Sequence, residues 1–255
     1  MTIIDAIKEE RKVLSNPITA QDEKLANWQN VFDKIKDMIK SGVDVNMKDE
    51  HGYTALMLAY RTQTAQLLIE SGANVNACDN NGQTALMWAS AQGNVDRVKL
   101  LIKSGADVNA MDKRFGDTAL MCASTVDITK LLIEFGADVN YKNKLWTVLG
   151  HSIYHGQYEK AKELLAAGAD VNATYDDNDT TALMEAAKLG RKNFVKLLIK
   201  SGAAVDAKDK RDHNALWYAR NHSASSVKSV VFEQPSEEVY GEIFQLLKEA
   251  GAEEK

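Results

Sequence analysis

The sequence predicts an all-α chain, a solenoid of about seven helix–turn–helix units with divergent capping repeats. Three observations predict it. A glycine-centred phrase recurs along the chain, a threonine-led phrase runs in step with it, and the residues between them place apolar side chains at helical spacing.

The glycine phrase reads SGVDVN at 41–46, SGANVN at 71–76, SGADVN at 104–109, FGADVN at 135–140, AGADVN at 167–172 and SGAAVD at 201–206, with a last copy, AGAE, at 250–253. Its glycines stand at 42, 72, 105, 136, 168, 202 and 251, so the first five spacings run from 30 to 34 residues and the last is 49. A fixed period of this size marks a stack of supersecondary units, each too small to bury its apolar face alone. The second phrase is TALM at 54–57, 84–87, 118–121 and 181–184, with weaker copies TVLG at 147–150 and NALW at 214–217.

Each unit then reads in order. The threonine caps a short first helix, because its hydroxyl accepts from an orphan amide of the first turn. A second helix follows, with apolar residues at i, i+3 and i+4 in runs such as Val98, Leu101 and Ile102 or Val195, Leu198 and Ile199. It stops at glycine, which takes the left-handed conformation that ends helices. Residues such as Asn76, Asp79 and Gly82 then supply turn chemistry. The paired leucines Leu100, Leu101, Leu197 and Leu198 are expected to be buried between consecutive units. Two units, Ala59 to Gly72 and Ala123 to Gly136, are three residues shorter than Ala89 to Gly105, and the shortfall reads as a missing Gly-Asn-Val-like loop between the helices.

The period near 33, the Thr-x-Leu start, the paired leucines and the Gly-Ala-Asp-Val-Asn ending resemble the ankyrin repeat over residues 20–252. The chain departs from the family in having Ala and Met after the threonine, where Pro and His are usual. The expected organisation is a capping helix over 1–18, a degenerate repeat over 19–46, five central repeats over 47–206 and a C-terminal repeat over 207–255 with an insertion at 222–235. Ile3, Ile4, Ile7 and Leu14 mark the capping helix, for which a partner-binding helix is the alternative, and Thr19 with Asp22 reads as a capping box for the repeat that follows. The insertion, with Val227, Val230, Val231 and Phe232, reads as a loop folding over the last repeat, with a partner-binding loop as the alternative. Ser236 and Glu238 restart a helix after it.

Composition narrows the function. The chain has 255 residues, 45% of them hydrophobic, and a net charge of −5, so neither a phosphate backbone nor an anionic membrane attracts it in bulk. Two cysteines, Cys78 and Cys122, give no disulfide framework and no Cys-x-x-Cys motif. The first residues lack the apolar core of a signal peptide and no window is long enough to span a membrane, so a cytoplasmic setting and a monomer are expected.

Chemistry is sought and not found. His151 and His155 share a helix face without a third ligand and read as surface histidines. Gly150-His151-Ser152-Ile153-Tyr154 lacks the second glycine of a nucleophile elbow, and Ser152 fills a small-residue packing slot. Asp176, Asp177, Asn178 and Asp179 read as a solvated acidic turn, because Ala187 stands where an EF-hand loop needs glutamate. No enzyme activity and no cofactor are expected.

The resemblance implies a protein-interaction module that binds another protein through a concave face, and a dedicated inhibitor or immunity-like binder of one enzyme is a special case of it. An enzyme or small-molecule binder is the competing class. That face is made of turn tips and exposed positions of the first helices. By register these are Leu58, Trp88, Cys122, His151, Glu185 and Tyr218 on the helices. On the tips they are His51 and Tyr53, Asn81 and Gln83, Arg114, Phe115 and Asp117, Leu145 and Trp146, Tyr175 and Asp176, and Arg211 and His213. Tyr53, Trp88, Phe115, Trp146 and Tyr218 lead the set, because aromatic side chains dominate interface energetics, with Arg114 and His51 beside them.

Overall fold

The computed structural model describes residues 2–15, 21–221 and 235–253, and within them the chain is helical with no β-strand. It divides into two compact units, Met1–Ala137 and Asp138–Lys255. The first holds α1 (Ile3–Ser15), α2 (Gln21–Lys40), α3 (Ala55–Leu58), α4 (Thr62–Glu70), α5 (Ala85–Ala91), α6 (Val95–Lys103), α7 (Ala119–Cys122) and α8 (Val126–Glu134). The second holds α9 (Val148–Tyr154), α10 (Tyr158–Ala166), α11 (Ala182–Lys188), α12 (Lys192–Lys200), α13 (Ala215–Arg220) and α14 (Glu237–Glu249).

Capping chemistry sets the helix ends. The hydroxyls of Thr54, Thr84, Thr118, Thr147 and Thr181 each accept from the amide three residues on, at 3.0–3.4 Å, and Asn214 does the same for α13. The second helices stop at glycines whose φ lies between +85° and +90°, Gly72, Gly105, Gly136, Gly168 and Gly202. No atom stands near a Cβ built on any of them, so conformation and not space selects glycine there. At Gly105 the amide reaches Ile102 O and the following Ala106 amide reaches Leu101 O, both at 3.0 Å, which satisfies two orphan carbonyls of α6. The methionines that replace the family's histidine, Met57, Met87, Met121 and Met184, are all buried.

An asparagine ladder couples neighbouring repeats. Asn46 Nδ2 donates to Gly72 O at 3.0 Å while its Oδ1 accepts from the Asn74 amide at 2.7 Å. Asn76 repeats this with Gly105 and Asp107, Asn140 with Gly168 and Asp170, and Asn172 with Gly202 and Ala204. Between rungs the chain makes a hairpin tip closed by a single antiparallel bridge, as at Lys48 with Thr54 and Cys78 with Thr84.

Three expectations are corrected. The two short units keep a three-residue link between their helices; the missing residues come off the first helix, since α3 and α7 have four residues where α5 has seven. Their links turn through Ala59 and Ala123 in an extended conformation (φ −56°), where the full-length links use Gly93, Gly156 and Gly190 at positive φ. Leu101 and Leu198 are fully buried, but Leu100 and Leu197 are only half-buried, because adjacent residues on a helix point about 100° apart and one face alone meets the core. Residues 21–40 form one twenty-residue helix, not a helix pair, and α1 packs against it. Thr19, the side chains of Leu14, Asp22, Leu25 and Ala26, and residues 222–234 with Val227, Val230, Val231 and Phe232 lie outside what is described. Ser236 caps α14, its hydroxyl accepting from the Val239 amide at 3.4 Å.

The first unit buries polar groups together. Glu10 of α1 is fully buried, and its Oε1 accepts from Trp28 Nε1 at 2.7 Å and from Thr64 Oγ1 at 2.5 Å. Arg97 of α6, 1% exposed, donates to the Ala59 carbonyl in the shortened link and to Gln92 Oε1. Burial draws its guanidinium down to about 10, against the pull of the Glu10 charge, so it stays protonated at neutral pH.

Candidate functional site

In the first unit the tip before α3 is organised by Asp49. Its Oδ1 accepts from the amides of His51 at 3.0 Å and Tyr53 at 2.9 Å. This sets His51 at the exposed apex and turns the Tyr53 ring edge-on to Trp88 of α5, with centroids 5.4 Å apart. Tyr53 and Trp88 are half-buried, and the Trp88 indole N–H is buried with no acceptor. At the next tips Asp79 and Asp112 play the part of Asp49. The Asp112 tip has one residue more than its predecessors, which projects exposed Arg114 with its guanidinium 4.8 Å over the half-buried Phe115 ring.

In the second unit Asn143 anchors a tip one residue shorter, accepting from the amides of Leu145 at 2.8 Å and Trp146 at 2.7 Å. Trp146 packs between two tyrosines, 4.9 Å from Tyr154 of α9 and 4.7 Å from Tyr175 of the next tip. Gly150 explains how that is possible. It replaces the buried methionine of the TALM phrase, and a Cβ there would meet the Tyr175 ring at 3.1 Å, so the missing side chain is the space the ring fills. Tyr218 of α13 is half-buried and donates to Asp209 Oδ2 at 2.7 Å, while the neighbouring Trp217 stacks on His213 at 3.5 Å with 37% of its surface exposed.

The structure thus brings His51, Tyr53 and Trp88 together, pairs Arg114 with Phe115, and gives Trp146 and Tyr218 aromatic neighbours of their own. Two positions expected on the open face are closed. Tyr175 and Glu185 are each 2% exposed, because the Tyr175 hydroxyl donates to Glu185 Oε2 at 3.1 Å and both turn inward. The sequence alone did not single out Tyr154 and Trp217, whose rings join these clusters; the aromatic at the methionine slot of NALW was the available signal for Trp217.

Electrostatics follow burial. Tyr175 is raised well above an ordinary phenol by burial and then by Glu185, and Tyr218 is raised by burial and its bond to Asp209. Burial opposes the Asp209 carboxylate, yet the Tyr218 hydroxyl and the His213 and Arg211 amides outweigh it and hold the carboxyl below its usual value.

His151 overturns the expectation of a surface histidine. Its ring lies 4.4 Å from His155, its Nδ1 is buried without a partner, and burial, with Lys160 and His155 adding to it, draws its pKa from 6.5 to about 3. The unfolded chain therefore binds a proton between those values that the folded chain refuses, so stability rises with pH through this window and falls on acidification. Between pH 6.5 and 5, above the carboxylate range, His151 should remove up to about 1.4 kcal/mol per pH unit, and His151→Gln should flatten that slope in urea melts. An unchanged slope in the variant would refute the assignment.

Among the described residues no three of His, Cys, Asp and Glu gather as a metal site, and no helix is long and apolar enough to cross a membrane. The pattern of three ankyrin repeats matches residues 25–112 and 109–175, and the pattern of many ankyrin repeats matches 153–199. The chain belongs to the ankyrin repeat family. Curated relatives include protein HOS4 of Saccharomyces cerevisiae, 41% identical over 70 residues, covering 28% of this chain and 6% of that protein. The ankyrin repeat and KH domain-containing protein mask-1 of Caenorhabditis elegans is 36% identical over 80 residues, 31% of this chain and 3% of its own length. A putative ankyrin repeat-containing protein of Treponema pallidum is 38% identical over 72 residues, 28% of this chain and 24% of its own length. The matches thus span less than a quarter of each relative. The crystal structure of the ankyrin repeat domain of Bcl-3 shares the fold, with a TM-score of 0.68 at 23% identity over 96% of this chain and 98% of that one. Ankyrin repeats are protein-interaction scaffolds and typically carry no catalysis.

Proposed function

We propose that this ankyrin chain binds a partner protein through the tips and first helices that carry His51, Tyr53 and Trp88, Arg114 and Phe115 in the first unit, and Trp146 and Tyr218 in the second. One observation carries the reading. Tyr53, Trp88, Trp146 and Tyr218 stand half-buried on neighbouring rings and Phe115 half-buried under the Arg114 guanidinium, so they are held in place yet keep a face to solvent. Pre-set aromatic surface loses little conformational freedom on binding, and interface hot spots are enriched in such side chains. The buried core of the repeats is mostly aliphatic, built around Ala, Leu, Met, Val and Ile.

The partner is to be captured from the source cell on the immobilised chain and identified, and its affinity then measured by calorimetry. Trp88→Ala and Trp146→Ala should each weaken binding by about 2 kcal/mol or more. Lys99→Ala and Lys196→Ala, exposed on second helices, should leave it nearly unchanged. Trp146 packs on two tyrosines, so Leu145→Ser, at the 48% exposed residue beside it, gives a version that leaves the stack intact. Loss of affinity in the lysine variants alone would move the site to the other face.

A further inference from the structure

Helix α1 sorts its charges by face. Its acids are engaged away from the tips: Asp5 accepts from the Thr2 amide and hydroxyl, Glu9 pairs with Lys34 of α2 at 3.3 Å, and Glu10 is buried against Trp28 and Thr64. Its cations Lys8, Arg11 and Lys12 recur at i, i+3 and i+4, one face of the helix. That face forms one wall of an open cleft of about 500 Å³ whose other wall is Asp49, His51, Tyr53 and Leu58. The cleft is therefore continuous with the His51–Tyr53 tip.

Among the described residues Lys8, Arg11 and Lys12 line it against Asp49, and the exposed Glu50 carboxylate lies 3.5 Å from His51 Nε2, on a chain whose total charge is −5. Asp49 is already committed, with Oδ1 on two tip amides and Oδ2 on Lys8 Nζ at 3.0 Å. It clamps α1 to the tip, and Arg11 and Lys12 stand exposed on the same wall of the cleft. Tyr53 and Leu58 give the opposite wall its apolar part.

We infer that α1 is part of the recognition surface, and that the α1–tip cleft takes an acidic segment of a partner polypeptide, its carboxylates on Arg11 and Lys12 and an apolar side chain against Tyr53 and Leu58. The inference rests on the tips being the recognition face. A nucleic acid is a poorer occupant, because so few cations on an acidic chain replace few of a phosphate backbone's counterions, whereas a partly apolar wall suits a side chain.

The test uses the full chain and a short fluorescein-labelled peptide alternating glutamate and leucine, read by fluorescence anisotropy. It should bind about tenfold or more tighter than its glutamine–leucine counterpart, and more weakly at about 200 mM than at about 50 mM salt. Arg11→Glu with Lys12→Glu should cost a further factor of about ten, with unchanged thermal melting, while Lys99→Glu should do little. Should the reversed-charge variant melt early, Arg11→Gln with Lys12→Gln reads the same effect without new repulsion. Equal binding of the two peptides, indifference to both double variants, or equal competition by a DNA duplex would each overturn the proposal. Partner binding lost in Trp146→Ala but kept in the Arg11/Lys12 variants retains the aromatic face and rejects this cleft; the opposite pattern rejects the aromatic face.

Discussion

Leu101→Ala and Leu198→Ala should each destabilise their own unit by about 2–5 kcal/mol, the range for emptying a closed apolar site. Both leucines are completely buried, Leu101 in the Met1–Ala137 unit and Leu198 among Leu183, Ala186, Val195, Leu216 and Ile243 in the other. Repeats touch only their neighbours, so the loss should appear first in the amide exchange of the repeats on either side. The half-buried Leu100 is the internal control and should cost clearly less. Urea melts of the three variants decide it. A change below about 0.5 kcal/mol for Leu101→Ala would contradict the packing register.

Glu10→Ala should be as damaging although it deletes a charge from a short helix. Truncation would strand the Trp28 indole N–H and the Thr64 hydroxyl, which converge on one oxygen of Glu10. Each stranded group costs about 1–3 kcal/mol, so a loss of about 2–6 kcal/mol is expected for the two. Glu10→Gln keeps an acceptor in the same place and removes the charge near Arg97. If glutamine restores most of the stability, the two hydrogen bonds carry the effect; if it fails as badly as alanine, the charge opposite Arg97 does. A neutral result for Glu10→Ala would mean that α1 is not held by this buried cluster.

What was legible in the sequence was whatever repeats. The threonine caps, the glycine stops and the apolar stripe recur in register, and local chemistry alone fixes them. What escaped was what depends on the neighbour. The three residues missing before Gly72 read as a lost loop, but the link must keep its length to reverse the chain, so the helix gave way. Gly150 read as a weak copy of the TALM phrase, and its purpose is visible only once the Tyr175 ring lies over it. Glu185 was placed by register on an open face, and the Tyr175 hydroxyl from the preceding tip holds it inward, while His151, read as a surface histidine, has its Nδ1 buried. The candidate residues were legible as residue types at tip and first-helix positions; their partners in stacking were not.

The asparagine rungs separate two tasks within one chain. Every group that a rung engages on the next repeat belongs to the main chain, a glycine carbonyl and a single amide, so the joint does not depend on the side chains it connects. The same seam accepts Asn74, Asp107, Asp170 or Ala204 as its amide donor. The exposed positions of the first helices can therefore be rewritten without renegotiating these rungs, while their buried Ala-Leu-Met residues stay fixed by packing. A family built this way can change what it recognises at little risk to its fold, much as a printer changes type in a fixed frame.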